Sequence, residues 1–177
     1  VGTLYKQVSR DKAVEAGIEF FAKKLPEFVK PFNEHRDKTI LVYCWRGGMR
    51  SKCVVDFLHA LKYPVVQLEG GYKSYRAYVR EKLDAFQLKP KVIVLWGLTC
   101  TGKTALLQRF SNSLDLEGLA QHRSSLYGAI GLTPRSQKMF DSLLLQELQR
   151  LQQEKVIFME GESRKIVDVG IPAFLYA

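Results

Sequence analysis

Thr39-Ile40-Leu41-Val42-Tyr43-Cys44-Trp45-Arg46-Gly47-Gly48-Met49-Arg50-Ser51 joins a short, β-branched, uninterrupted apolar run to a segment in which Val54, Val55, Leu58 and Leu61 recur near helical spacing. Such a run reads as a buried parallel strand and such a spacing as a helix, so residues 44–51 form the turn between them. Gly47 and Gly48 are expected to reach positive φ there, letting successive N–H groups curl into an anion-binding nest at the positive end of the helix. Ser51 is the expected helix cap. Cys44 would hang over the nest, and backbone dipoles together with Arg46 and Arg50 would favour its thiolate, the nucleophilic form. A merely buried cysteine at a strand end would account for neither the paired glycines nor the paired arginines.

The same alternation extends in both directions. A helix is expected from about Asp11 through Ala13, Ile18, Phe20, Phe21 and Leu25, stopped by Pro26 and Pro31, after a segment 1–10 without clear period. Residues 64–68 predict a second short strand, Glu69-Gly70-Gly71 closes it, and residues 72–83 predict a helix. Strands alternating with helices imply a parallel sheet. Tyr72, Lys73, Tyr75, Arg76, Tyr78, Arg80 and Lys82 could stack on bases and pair with phosphates, or divide between core and solvent. The polar, proline-containing segment 87–90 sets the expected boundary between one domain over 1–89 and another over 90–177.

Residues 91–96 read as a buried strand, followed by Gly97-Leu98-Thr99-Cys100-Thr101-Gly102-Lys103-Thr104, which fits G-x-x-x-x-G-K-[ST] in the strand-to-helix context that the motif requires. Backbone N–H groups from 99 to 104 would wrap a β-phosphate, Lys103 would offset its charge, and the Thr104 hydroxyl would hold Mg²⁺ if one is bound. Cys100 reads as small filler. Asp115 and Glu117 stand beside a short apolar segment that leads to His122 and Arg123. A helix is expected over 136–154 from Met139, Phe140, Leu143, Leu144, Leu148 and Leu151. Residues 156–159 form another strand running into Glu160, Glu162, Ser163 and Arg164, the kind of strand end where P-loop proteins present a carboxylate to metal or water. A surface turn is the plainer reading of that end.

With 177 residues, 46% hydrophobic and 25% charged, the chain has the composition of a globular protein of one large or two small domains. No run approaches the roughly twenty apolar residues that span a bilayer, and the N-terminus lacks a secretion signal's basic-then-apolar order, so no membrane partner and a cytoplasmic location are expected. Three widely spaced cysteines without a C-x-x-C pair argue against a disulfide scaffold and a zinc site. Of the net charge of +9, most lies in residues 1–90, which hold 17 Lys and Arg against 10 Asp and Glu, whereas residues 91–177 hold 10 against 8. A basic surface of this kind steers polyanions inward, making a nucleic acid or a phosphorylated substrate a natural partner. Two strands in each half are too few to bury a parallel sheet on both faces, so pieces of both domains, at both ends of the chain, are expected to be missing.

A reactive-cysteine α/β domain followed by a P-loop domain resembles the bacterial tRNA 2-selenouridine synthase family, in which a rhodanese domain is fused to a P-loop domain. Residues 44–51 are similar to that family's rhodanese loop, Leu68-Glu69-Gly70-Gly71-Tyr72 to the segment closing its rhodanese domain, and residues 97–104 to its P-loop. Asp115-Leu116-Glu117-Gly118-Leu119-Ala120, His122-Arg123 and Glu162-Ser163-Arg164-Lys165-Ile166 resemble further family motifs. Ser124 stands where glycine would follow His-Arg, and Val167 where glycine would follow Lys-Ile; each departure bears only on local backbone geometry.

The resemblance implies an α/β chain, a rhodanese-like parallel-sheet domain followed by a P-loop NTPase-like domain, both incomplete. It implies a transferase that replaces sulfur by selenium in wobble 2-thiouridine of tRNA, with selenophosphate as donor, a selenophosphate supplier as a further partner, and a geranylated thiouridine made from geranyl diphosphate as intermediate. No cofactor is expected to be covalently bound. Cys44 would be the catalytic nucleophile able to carry selenium, with Arg46, Gly47, Gly48 and Arg50 binding the donor anion. Gly97, Thr99, Thr101, Gly102, Lys103 and Thr104 would grip the diphosphate, Lys103 stabilising the departing pyrophosphate beside an apolar channel for the prenyl chain. Asp115, Glu117, His122, Arg123, Glu160, Glu162, Ser163 and Arg164 are candidates for a second-domain site.

Two other readings compete. The spacing from Cys44 to Arg50 is also that of cysteine-dependent phosphatases, although Tyr43 replaces their usual histidine and the P-loop is left unexplained. A nucleotide-gated sulfurtransferase or binding module is the third reading, and it leaves the intact Cys44 and Lys103 without chemistry.

Overall fold

The computed structural model describes residues 2–98, 101–125 and 127–176, which fall into two compact units divided between Tyr72 and Lys73. The first contains α1 (Gly2–Gln7), α2 (Arg10–Val29), a 3-10 turn (Lys30–His35), β1 (Ile40–Val42), α3 (Met49–Ala60), β2 (Val65–Gln67) and the first residues of α4 (Gly71–Asp84). Ser9 caps α2 by accepting the Lys12 N–H at 3.2 Å. Pro26 does not stop α2, as its position in the sequence suggested it would. It sits in the last turn, where a proline removes a single backbone bond, and the chain tightens into the 3-10 turn beyond Val29. The apolar strands pair in parallel, Ile40 opposite Val65 and Val42 opposite Gln67. Helix α3 lays Val55 and Leu58 against Tyr63 and Val65, with Ile40, Val42 and Phe57 packed around them. Leu41 and Val66, which alternation sends to the other face of the strands, are exposed.

The second unit takes α4 from Lys73 onward and continues through β3 (Lys91–Leu95), α5 (Lys103–Leu107), β4 (Ser113–Leu114), α6 (Leu116–Ala120), α7 (Gln137–Leu151) and β5 (Val156–Glu160). A hairpin of β6 (Lys165–Ile166) and β7 (Val169–Gly170) and a 3-10 turn (Ala173–Leu175) follow. The sheet order is β3-β5-β4, all parallel. Strand β4, absent from the sequence-based expectation, is only two residues long. Asn112 Nδ2 donating to the Val156 carbonyl at 2.7 Å and the Phe110 ring stacked on Phe158 hold it in place. Phe140, Leu144, Leu148 and Leu151 form one stripe of α7 at helical spacing and meet Leu114, Ile157 and Met159 of the sheet and Val79 and Leu83 of α4. Met139, expected on that stripe, is exposed, whereas Leu145 is buried. Among the described residues no helix is long and apolar enough to cross a membrane.

Candidate functional site

Strand β1 ends at Val42 and α3 begins at Met49 with Gly48 as its N-cap, so the intervening turn folds beneath the helix's first N–H groups. Cys44 Sγ accepts the Gly48 N–H at 3.2 Å and the Ser51 hydroxyl at 3.3 Å. Ser51 is therefore not the cap of α3 but a residue of its first turn, almost fully buried beside the sulfur. Gln67 Nε2 donates to Ser51 Oγ at 2.9 Å and to the Gly47 carbonyl at 2.6 Å. Ser51 thus accepts a hydrogen bond from Gln67 and has its own hydroxyl hydrogen to direct at Cys44 or at the Gly48 carbonyl, 3.0 Å away. The Cys44 thiol is lowered from 9.0 to about 6, first by the Ser51 hydroxyl, against burial, and further by the N–H groups of Ser51, Arg46 and Gly48. Hydroxyl and amides, rather than the exposed guanidinium groups of Arg46 and Arg50, hold this thiolate.

Of the paired glycines only Gly47 has positive φ, at +65°; Gly48 is extended, with φ −92° and ψ −153°. Gly47 is needed for a second reason. A Cβ there would lie 2.9 Å from the Gly71 nitrogen and 3.0 Å from the Leu68 carbonyl. Reciprocally, a Cβ on Gly71, at φ +62°, would run into the Cys44 carbonyl. Residues 68–72 thus press directly on the cysteine turn, and the Tyr72 N–H donates to that carbonyl at 2.9 Å. Tyr72 also stacks on Tyr43 and leans on Trp45, which walls the turn with aromatic rings.

In the second unit, Gly102 caps α5 in a left-handed conformation at φ +86°. Lys103 Nζ donates to the Gly97 and Leu98 carbonyls at 3.0 and 2.9 Å, and the Thr101 hydroxyl to Leu98 at 2.8 Å, so the loop closes on its own lysine. Thr104 lies in the first turn of α5; Thr99 and Cys100 lie outside the described residues. Strand β5 ends in Glu160, which is buried, and Glu162 follows it. Helix α6 contributes Glu117 from its first turn, and its N-cap Asp115 accepts the Gly118 N–H at 2.7 Å. One carboxylate oxygen from each of Glu117, Glu160 and Glu162 lies within 4.8 Å of the others. Burial, and then the charges of Glu162 and Glu160, push the Glu117 carboxyl up to about 7. Burial also raises Glu162, against the Ser124 hydroxyl, which donates to it at 2.7 Å, and the charge of Lys103. The P-loop lysine and the carboxylates therefore share one electrostatic environment.

The rhodanese-like domain family matches residues 13–78, and the tRNA 2-selenouridine synthase AAA domain family matches residues 90–177. A tRNA 2-selenouridine synthase of Shewanella piezotolerans is 33% identical over 99% of this chain and 50% of its own length. Those of Hydrogenovibrio crunogenus and Nitrosomonas europaea are 35% and 32% identical over 97% of this chain, and 50% and 47% of their own lengths. The chain belongs to the tRNA 2-selenouridine synthase family. It spans about half the length of the curated relatives it matches.

For a member of the tRNA 2-selenouridine synthase family, the remaining expected residues divide clearly. His122 is buried, with Nδ1 unpartnered among the described residues and its ring against Gly128, where a Cβ would lie 2.6 Å from it. Arg123 donates to the Ile130 carbonyl at 3.2 Å. Ser163 donates to the Lys165 carbonyl at 2.7 Å at the start of the hairpin, and Arg164 lies 5.7 Å over the Tyr176 ring. Arg76, from the aromatic and basic stretch of α4, is committed to Asp141 at 2.8 Å. Ser124 and Val167, which stand where the family resemblance placed glycine, have φ of +39° and +54°, the region glycine favours. A cleft of about 620 Å³, lined by Val92, Val94, Trp96, Phe174 and Tyr176 among others, reaches Glu162. Gln67 escaped sequence reasoning because nothing distinguishes it from any polar strand end.

Proposed function

We propose that this chain carries out tRNA 2-selenouridine synthesis: exchange of sulfur for selenium in wobble 2-thiouridine of tRNA, after geranylation of the sulfur. The observation that carries the reading is a cysteine whose thiol is lowered to about 6 by an amide-and-hydroxyl cradle, on a chain that also bears a P-loop. Residues 1–89 would act as the selenium-handling half and residues 90–177 as the diphosphate-handling half. Cys44 is the soft nucleophile; Arg46, Gly47, Gly48 and Arg50 receive the selenophosphate anion, for which exposed guanidinium groups suit. Gly97, Thr99, Thr101, Gly102, Lys103 and Thr104 take the diphosphate of geranyl diphosphate. An arriving diphosphate would replace the carbonyls to which Lys103 now donates. The apolar cleft beside Trp96 suits a ten-carbon prenyl chain. The Thr104 hydroxyl would hold a magnesium ion on the diphosphate, supplying charge neutralisation there. Asp115, Glu117, His122, Arg123, Glu160, Glu162, Ser163 and Arg164 make up or border the second-domain site. A basic first half favours tRNA as partner, and the cytoplasm is where that substrate is found.

The test is mass spectrometry of nucleosides from 2-thiouridine tRNA incubated with the protein, geranyl diphosphate and selenophosphate. A mass shift at that nucleoside is expected; an unmodified nucleoside under all conditions refutes the reading. Cys44→Ser should abolish selenation and spare geranylation, whereas Lys103→Ala should lose geranylation. A cysteine-dependent phosphatase would instead release phosphate from p-nitrophenyl phosphate and ignore both co-substrates.

A further inference from the structure

We propose that Glu117, Glu160 and Glu162 form a site for a hard divalent cation, magnesium or manganese, separate from the ligand that the P-loop supplies through Thr104. The three side chains come from the first turn of α6, the last residue of β5 and the turn beyond it, yet one oxygen of each lies within 4.8 Å of the others. Carboxylates drawn this close repel strongly unless positive charge, a proton or a cation, lies between them. What surrounds them supplies little of it. Ser124 donates one hydrogen bond to Glu162, and the Lys103 amine is shared with the Gly97 and Leu98 carbonyls.

A second observation is independent of the clustering. Glu160 is only 6% exposed, and its Oε1 has no hydrogen-bond partner among the described residues. Buried carboxylate oxygens are almost always satisfied, because an ionised oxygen left dry and unpaired is strongly disfavoured. The Glu160 carboxylate meets two other carboxylates instead of a donor, which is the arrangement of a ligand set. All three donors are carboxylate oxygens, without sulfur or imidazole, a set that suits magnesium or manganese over zinc or copper. Three such ligands leave the remaining positions of an octahedron open to water or to a phosphate oxygen.

The experiment titrates Mn²⁺ into the protein in the absence of any diphosphate, following loss of the free-ion electron paramagnetic resonance signal, with Mg²⁺ as competitor. One saturable site is expected. Glu117→Gln and Glu162→Gln should each raise its Kd at least about tenfold, since even the outer partners of a metal ligand are worth that much. Thr104→Ala should leave it within about twofold, and circular dichroism confirms that each variant is folded. The absence of saturable binding, or a site that survives both glutamate substitutions and disappears with Thr104→Ala, overturns the proposal. Neither result depends on the tRNA reaction, so the two readings stand or fall separately.

Discussion

Replacing Ser51 by alanine removes the hydroxyl that donates to the Cys44 sulfur at 3.3 Å and leaves the Gly48 N–H contact in place. A hydrogen bond to a charged acceptor is worth about 1.5–3 kcal/mol, and at 1.36 kcal/mol per pKa unit its loss raises the thiol by about one to two units. The half-exposed setting of Cys44 screens the effect, so about one unit is expected, from about 6 to about 7. The rate consequence changes sign with pH. A less stabilised thiolate is intrinsically more reactive, by about threefold for one unit with a Brønsted slope near 0.45, but it is present tenfold less at low pH. Alkylation of Cys44 by iodoacetamide should therefore be about threefold slower than in the parent near pH 5, about two- to threefold faster near pH 8, and equal between about pH 6 and 7. Peptide mass spectrometry separates Cys44 from the other cysteines. Superimposable profiles, or a variant slower at every pH, would show that the amides alone set the thiolate and that Ser51 only packs.

Other substitutions test the frame around the two sites. Arg76→Ala leaves Asp141, about as buried as its partner at 12% side-chain exposure, with Gln137 as its remaining side-chain partner among the described residues, and should cost about 3–5 kcal/mol in a denaturant titration. The double change Arg76→Met with Asp141→Leu should recover most of that loss, because the pair then leaves no unpaired charge. Val167→Gly relieves a β-branched residue at φ +54° and should stabilise by about 1 kcal/mol after the entropy that glycine adds to the unfolded chain; a lower denaturation midpoint would show that the valine side chain outweighs its strain. Gly71→Ala should move the cysteine turn, and alkylation of Cys44 at neutral pH should slow markedly even where the fold survives.

The motifs were legible because each binds through features written contiguously: the glycines of the P-loop, the strand before it, the cysteine after β1. Periodicity found α7 but not Asp141 within its buried face, since a charge there makes sense only with Arg76 brought from α4. The backbone amides expected to favour the Cys44 thiolate do so, but the flanking arginines are exposed, because composition cannot say which side chains the backbone turns toward a sulfur. The Ser51 hydroxyl and the turn's own amides do that work, and Gln67 reaches Ser51 only once β2 lies beside β1. The carboxylate group was visible as single residues, whereas their convergence depends on where α6 meets the end of β5. Even the two departures from the family pattern became informative only with backbone angles in hand.

The turn of residues 44–51, whose Ser51 hydroxyl and amides face the sulfur, also makes sulfur reactivity a product of folding. Before that turn forms, Cys44 is an ordinary thiol of pKa 9.0, with about 1% thiolate at pH 7; once it forms, about nine-tenths is ionised. An emerging polypeptide would thus carry a quiescent sulfur that becomes a nucleophile as that turn folds. A fast-reacting electrophile pulsed at successive times of refolding would then report formation of the turn, a built-in chemical clock that needs no attached dye.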